Sequence, residues 1–143
     1  MNIFKEIAGR VWATWGLLSF IATFLIVLPI SLIAYLIPEP GGTAYLIRVS
    51  RVWMRVWMFL IACPIKIRGA EHFEKGKSYV VTCNHNSLLD IPLSSPFIPG
   101  ANKTIAKMSF AKIPLFGLYY AKGSVLVGRT SERSRRKSFD GMK

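Results

Sequence analysis

The polarity pattern of the chain has one long gap: from Val11 to Ile37, 27 consecutive positions carry no charge and are rich in Leu, Ile, Phe, Val and Trp. As a straight helix this stretch runs about 40 Å at 1.5 Å per residue, against about 30 Å for a bilayer core. It is too long for the apolar core of a signal peptide, and no small-x-small cleavage site follows, so it is expected to be retained. Pro29 is expected to interrupt it, leaving Val11 to Leu28 as an 18-residue piece able to cross or nearly cross a membrane. Glu39-Pro40-Gly41-Gly42 predicts a turn.

A second helix is predicted from Ala44 to Ala62, of different character. Arg48, Arg51 and Arg55 fall within about 60° of one another at 100° per residue, and Leu46, Val49, Trp53, Trp57 and Leu60 cover the other side. Such a helix suits a lipid-water boundary, with arginines at phosphates and tryptophans at headgroup depth; insertion beside the first helix is the other arrangement. Residues 1–62 therefore predict a two-helix membrane-associated module, with an ordinary buried helical hairpin as the alternative.

The period changes after Cys63-Pro64. Ile65 to Gly69 alternates like a half-buried strand, and Ser78 to Cys83 is a β-branched run suited to a buried one. A polar corner, Asn84-His85-Asn86-Ser87, then leads into a helix beginning at Leu88. Further strands are predicted at Thr104 to Met108 and Ser124 to Val127, a short Pro-started helix at Ile113 to Tyr120, and a last helix from Ser131 to Lys143 capped by Thr130 or Ser131. Residues 63–143 are thus expected to form the first half of an α/β domain. That last helix reaches its apolar positions, Phe139 and Met142, only at its end, so the domain is expected to continue past Lys143.

Composition sharpens the picture. The chain has a net charge of +12 and is 52% hydrophobic, a pairing that excludes an acidic disordered tail and a plain soluble enzyme. A basic nucleic-acid-binding domain would not carry the uncharged stretch, so no nucleic-acid partner is expected. Most of the excess charge lies beyond residue 100, including Arg133 to Lys137, a solvated helix face or an attraction for anionic lipid or an acidic donor. Cys63 and Cys83 have no ligand spacing, so neither a zinc site nor a disulfide framework is expected, and a reducing, cytosol-facing setting follows. Cys83 reads as a buried small apolar side chain and His72 as a surface residue.

His85 and Asp90 are the pair with chemical potential. On one helix they would point about 140° apart, so they meet only if His85 occupies the strand-to-helix corner and Asp90 the first turn. A neutral imidazole can then act as general base on a substrate hydroxyl while the carboxylate on its other nitrogen fixes the tautomer. The structural reading stands beside it: Ser87-Leu88-Leu89-Asp90 matches a capping box, and Pro92 offers Asp90 as an N-cap.

Asn84 to Asp90 resembles the Asn-His-x4-Asp block of the glycerolipid acyltransferases, above all those acting on 1-acylglycerol-3-phosphate. Ala106 to Gly117 is similar to the Lys-x-x-Leu-x-x-x-Pro-x-x-Gly stretch of that family, with Phe110 in place of Leu. Gly123 to Arg129 resembles its second block, with Leu126 in place of Phe. The resemblance implies that His85 deprotonates the acceptor hydroxyl, that Asp90 orients His85, and that Arg129 and Lys107 hold the acceptor phosphate. It implies a lysophospholipid acceptor, an acyl-CoA or acyl-ACP co-substrate, no metal or other cofactor, and a place on the cytoplasmic face of the inner membrane. Another lysophospholipid or lyso-aminolipid acceptor, or a non-catalytic basic membrane anchor, are the alternatives. The family's Pro-Glu-Gly-like third block and Pro-rich fourth block do not occur within these 143 residues.

Overall fold

The structure, a computed structural model, describes residues 3–128. Helix α1 (Ile3–Leu32) includes Pro29 and continues as a 3₁₀ turn at Ile33–Tyr35. The interruption that the sequence predicts at Pro29 does not end the helix; the ring removes a single N–H, and the chain continues helically to Leu32. Helix α2 (Gly41–Leu60) follows after a tight turn, and Gly42 makes the turn possible. A Cβ at Gly42 would lie 2.5 Å from the Ala34 carbonyl oxygen and 2.7 Å from that of Ile37.

The two helices are antiparallel and cross-tied by indole N–H groups. Trp53 donates to Thr23 Oγ1 at 3.0 Å, Trp57 to the Gly16 carbonyl at 3.2 Å, and Trp12 and Trp15 to the carbonyls of Ile61 and Leu60, each at 3.0 Å. The last two satisfy carbonyls that a helix end otherwise leaves open. Phe24, Leu28, Trp53, Met54, Trp57 and Ile61 form the buried core of the described residues. Trp53 and Trp57, expected at headgroup depth, lie inside this core because their edges can both pack and donate to α1. Only α1 with its 3₁₀ turn, Ile3–Tyr35, is long and apolar enough among the described helices to cross a membrane; the arginines of α2 disqualify it.

The remaining elements are short. Helix α3 (Asp90–Ser94), strand β1 (Thr104–Lys107), helix α4 (Phe116–Lys122) and strand β2 (Ser124–Val127) follow in order. β1 and β2 pair in parallel, Thr104 opposite Ser124 and Lys107 opposite Val127, with α4 as the crossover. Gly117 is fixed by packing, since a Cβ there would overlap the Ala111 carbonyl. The segments at Ile65 to Gly69 and Ser78 to Cys83 form no strand among the described residues; Val80 is 95% exposed and Cys83 is exposed, not buried. Their alternating or β-branched pattern favours extension, but a strand also needs a neighbour to bond to.

This small α/β unit lies along the helical hairpin. Phe24 of α1 meets Phe116 and Tyr119 with ring centroids 5.9 Å apart in each case, and the Tyr119 hydroxyl lies 2.6 Å from Ser50 Oγ of α2. Arg51 donates through Nε to the Pro96 carbonyl at 2.6 Å, and the Arg55 guanidinium lies over the Phe97 ring at 5.8 Å. Two of the three arginines expected to meet lipid phosphate therefore bind the domain.

Candidate active site

No strand precedes His85 among the described residues, so the predicted strand-to-helix corner is a turn leading into α3, and one oxygen organises it. Asp90 opens α3 and turns its carboxylate back over the corner. Its Oδ2 accepts the backbone N–H of Asn86 at 2.7 Å and of Ser87 at 2.8 Å, and lies 3.1 Å from His85 Nδ1. Ser87 Oγ accepts the N–H of Leu89 at 3.2 Å. Only the backward half of the capping box forms, from Asp90 to the Ser87 N–H, since Ser87 Oγ takes the Leu89 N–H and Asp90 is the first helical residue, not the N-cap; the same Asp90 oxygen also meets the imidazole.

Two amides and an imidazole around one carboxylate favour its ionised form. The Asp90 carboxyl is held below its ordinary value first by the Ser87 backbone N–H and next by His85. A carboxylate at Nδ1 selects the tautomer that leaves the Nε2 lone pair outward. The His85 side chain is 57% exposed, so that nitrogen is open to a reactant. The arrangement can take a proton from a hydroxyl and stabilise the resulting imidazolium.

Lys107 sits at the end of β1 with its side chain exposed, and its backbone is hydrogen-bonded to Tyr120. It forms no ion pair with Asp90 among the described residues. Arg129, the basic run from Arg133 to Lys137 and the last predicted helix lie outside the described residues. Phe110, the departure from the usual Leu, stacks on Tyr120 with centroids 5.6 Å apart. A groove of about 620 Å³ lined by Arg55, Met58, Phe59, Cys63 and Ile65 opens at the end of α2, and neither His85 nor Asp90 lines it. Among the described residues no group of three or more His, Cys, Asp or Glu side chains could hold a metal ion.

Two roles escaped the pattern. The amides of Asn86 and Ser87 hold Asp90 in place, a part that the capping-box spacing foreshadows. Glu39, which accepts Lys122 Nζ at 2.9 Å and Lys103 Nζ at 3.4 Å, ties the hairpin turn to the domain. Its one local signal is an acid placed before a helix N-terminus.

Residues 64–143, more than half of the chain, match the family model described as Acyltransferase. The chain belongs to this acyltransferase family. It is also 41% identical over 66 residues to a 1-acyl-sn-glycerol-3-phosphate acyltransferase from Cocos nucifera, a match covering 46% of this chain and 21% of that relative. The chain thus spans only about a fifth of that relative in the matched region. No solved structure matches it. The His85–Asp90 corner falls within the matched region.

Proposed function

We propose that the whole protein transfers a fatty acyl group from an acyl-CoA or acyl-ACP thioester to the sn-2 hydroxyl of 1-acylglycerol-3-phosphate. The observation that supports this most is the 3.1 Å approach of His85 Nδ1 to Asp90 Oδ2 on a side chain that is 57% exposed. His85 Nε2 takes the hydroxyl proton as that oxygen attacks the thioester carbonyl. The tetrahedral adduct then collapses, the C–S bond breaks, and the imidazolium returns the proton to the departing thiolate. Asp90 stays anionic throughout and stabilises the imidazolium. Lys107 and Arg129 are the cations for the acceptor phosphate, and the reaction calls for no resident cofactor.

The hairpin carries the membrane reading. From Val11 onward the outer side of α1 is apolar, with Leu18 58%, Ile26 67% and Ile30 44% exposed. The domain touches the hairpin at Arg55, at mid-length through Phe24, and at the turn through Glu39. If α1 crossed the bilayer, this flanking polar domain would be drawn into hydrocarbon. The hairpin therefore lies in one leaflet with the domain beside it, on the cytoplasmic side that the basic segments favour.

The test is acyl transfer by the full protein in membranes, with 1-acylglycerol-3-phosphate, other lysophospholipids and a lyso-aminolipid offered against both thioester donors. Product from 1-acylglycerol-3-phosphate alone is expected. Preference for another acceptor would move the assignment within the family, and turnover unchanged by His85→Ala would overturn the mechanism.

A further inference from the structure

Five apolar side chains from two distant stretches are exposed at the turn end of the hairpin. Leu36 is 84% exposed, Leu115 53%, Leu118 51%, Ile33 45% and Ile113 44%. The Tyr35 hydroxyl donates to the Leu118 carbonyl at 2.8 Å, so the end of the α1 segment and the start of α4 are in direct contact. The turn end of the hairpin and the start of α4 are thus adjacent, and each carries exposed apolar side chains. Ile26, Ile30 and Ile33 recur at i, i+4 and i+7, so the turn end continues the outer face of α1.

The backbone under Leu115 is unusual. Leu115 has φ 62° and ψ −53°, and the Phe116 N–H donates to the Pro114 carbonyl at 2.6 Å. This is a three-residue γ-turn of the positive-φ kind, strained for any residue with a Cβ. Gly117, pressed on Ala111, holds its far side. A strained position occupied by leucine and turned toward solvent gains nothing in water, where glycine would fit better. It gains where an apolar phase meets it.

Charge indicates which phase. Lys112 and Lys107 are exposed on the same small unit, while Glu39, the acid of this end, is already engaged by Lys122 and Lys103. An apolar tip on a unit that also exposes Lys112, which has no ion pair among the described residues, complements an anionic headgroup layer over acyl chains.

We propose that Ile113 to Leu118 is a second membrane-contacting element, a leucine wedge that enters the headgroup-acyl boundary beside the hairpin. The proposal rests on the membrane reading of the hairpin given above. It gives the domain its own grip on the bilayer and fixes how β2 and α4 stand over the surface.

The experiment places an environment-sensitive fluorescent amino acid at position 115, 18 or 75 of the full protein. Each version is reconstituted in vesicles of equal parts phosphatidylcholine and phosphatidylglycerol with brominated acyl chains. Quenching is expected at positions 115 and 18 and not at the exposed Lys75. Quenching at 18 without 115 overturns the wedge and keeps the hairpin reading. Quenching at neither overturns both. A blue-shifted but unquenched signal at 115 means that protein, either the rest of the chain or a second copy, covers it, and the wedge is rejected. In parallel, Leu115→Gly should raise the unfolding temperature by relieving the turn while weakening vesicle binding roughly tenfold. Binding as tight as wild type would overturn the proposal.

Discussion

Glu39 and Lys122, 83 positions apart, are joined at 2.9 Å, and this pair closes the turn of the hairpin onto the acyltransferase domain. Lys122 Nζ also lies 5.2 Å from the centre of the Tyr35 ring, and Glu39 Oε2 accepts the Thr43 backbone N–H at 3.2 Å, in the first turn of α2, and the Thr43 hydroxyl at 2.7 Å. The bond from Lys122 first, then those from Thr43 and the charge of Lys103, lower the Glu39 carboxyl from 4.5 to about 2.

A group with a depressed folded value binds fewer protons than the unfolded chain between the two values, so stability rises with pH in that window. The contribution of Glu39 is present above about 4.5 and is lost as pH falls toward about 2. Its side chain is 44% exposed, so the effect is screened by salt and amounts to about 1 kcal/mol or less. Protease resistance of the hairpin-domain contact, followed over this pH range, should fall in wild type. Glu39→Gln should start lower and respond less.

The shared oxygen of Asp90 predicts separable effects. His85→Ala should reduce turnover about 100-fold or more while leaving the fold intact. Asp90→Asn keeps an acceptor for the amides of Asn86 and Ser87 but loses the charge, so it should reduce turnover with little change in unfolding temperature. Asp90→Ala should lower both. Loss of stability without loss of specific activity in Asp90→Asn would assign the residue to helix capping alone.

Ala62 has φ 57° one residue beyond Ile61, and the Cys63 N–H returns to the Met58 carbonyl at 2.8 Å. This left-handed ending of a helix favours glycine. Ala62→Gly should stabilise the detergent-solubilised protein by about 1 kcal/mol, read as a higher unfolding temperature.

Gly117 predicts the opposite sign. A methyl group there meets the Ala111 backbone, which cannot swing aside as a side chain would. Gly117→Ala should cost about 1 to 3 kcal/mol and loosen α4 from the Met108–Lys112 turn, measurable as faster amide exchange in α4.

The sequence alone determined whatever depends on neighbours a few positions apart. The long uncharged run specified α1, the β-branched stretches at Thr104 and Ser124 became β1 and β2, and the five-residue step from His85 to Asp90 made their meeting a matter of one turn. Local bonding and side-chain period decide such features within reach of a single helix turn or strand. Tertiary structure decided which partners the remaining groups found. The same β-branched pattern at Ser78 to Cys83 stayed unpaired among the described residues, Pro29 stayed helical, and Trp53 and Trp57 turned inward. Arg51 found the carbonyl of Pro96, 45 positions away, and Glu39 found Lys122. A charge or an indole N–H takes the nearest partner in space, and the packing of distant segments fixes that distance.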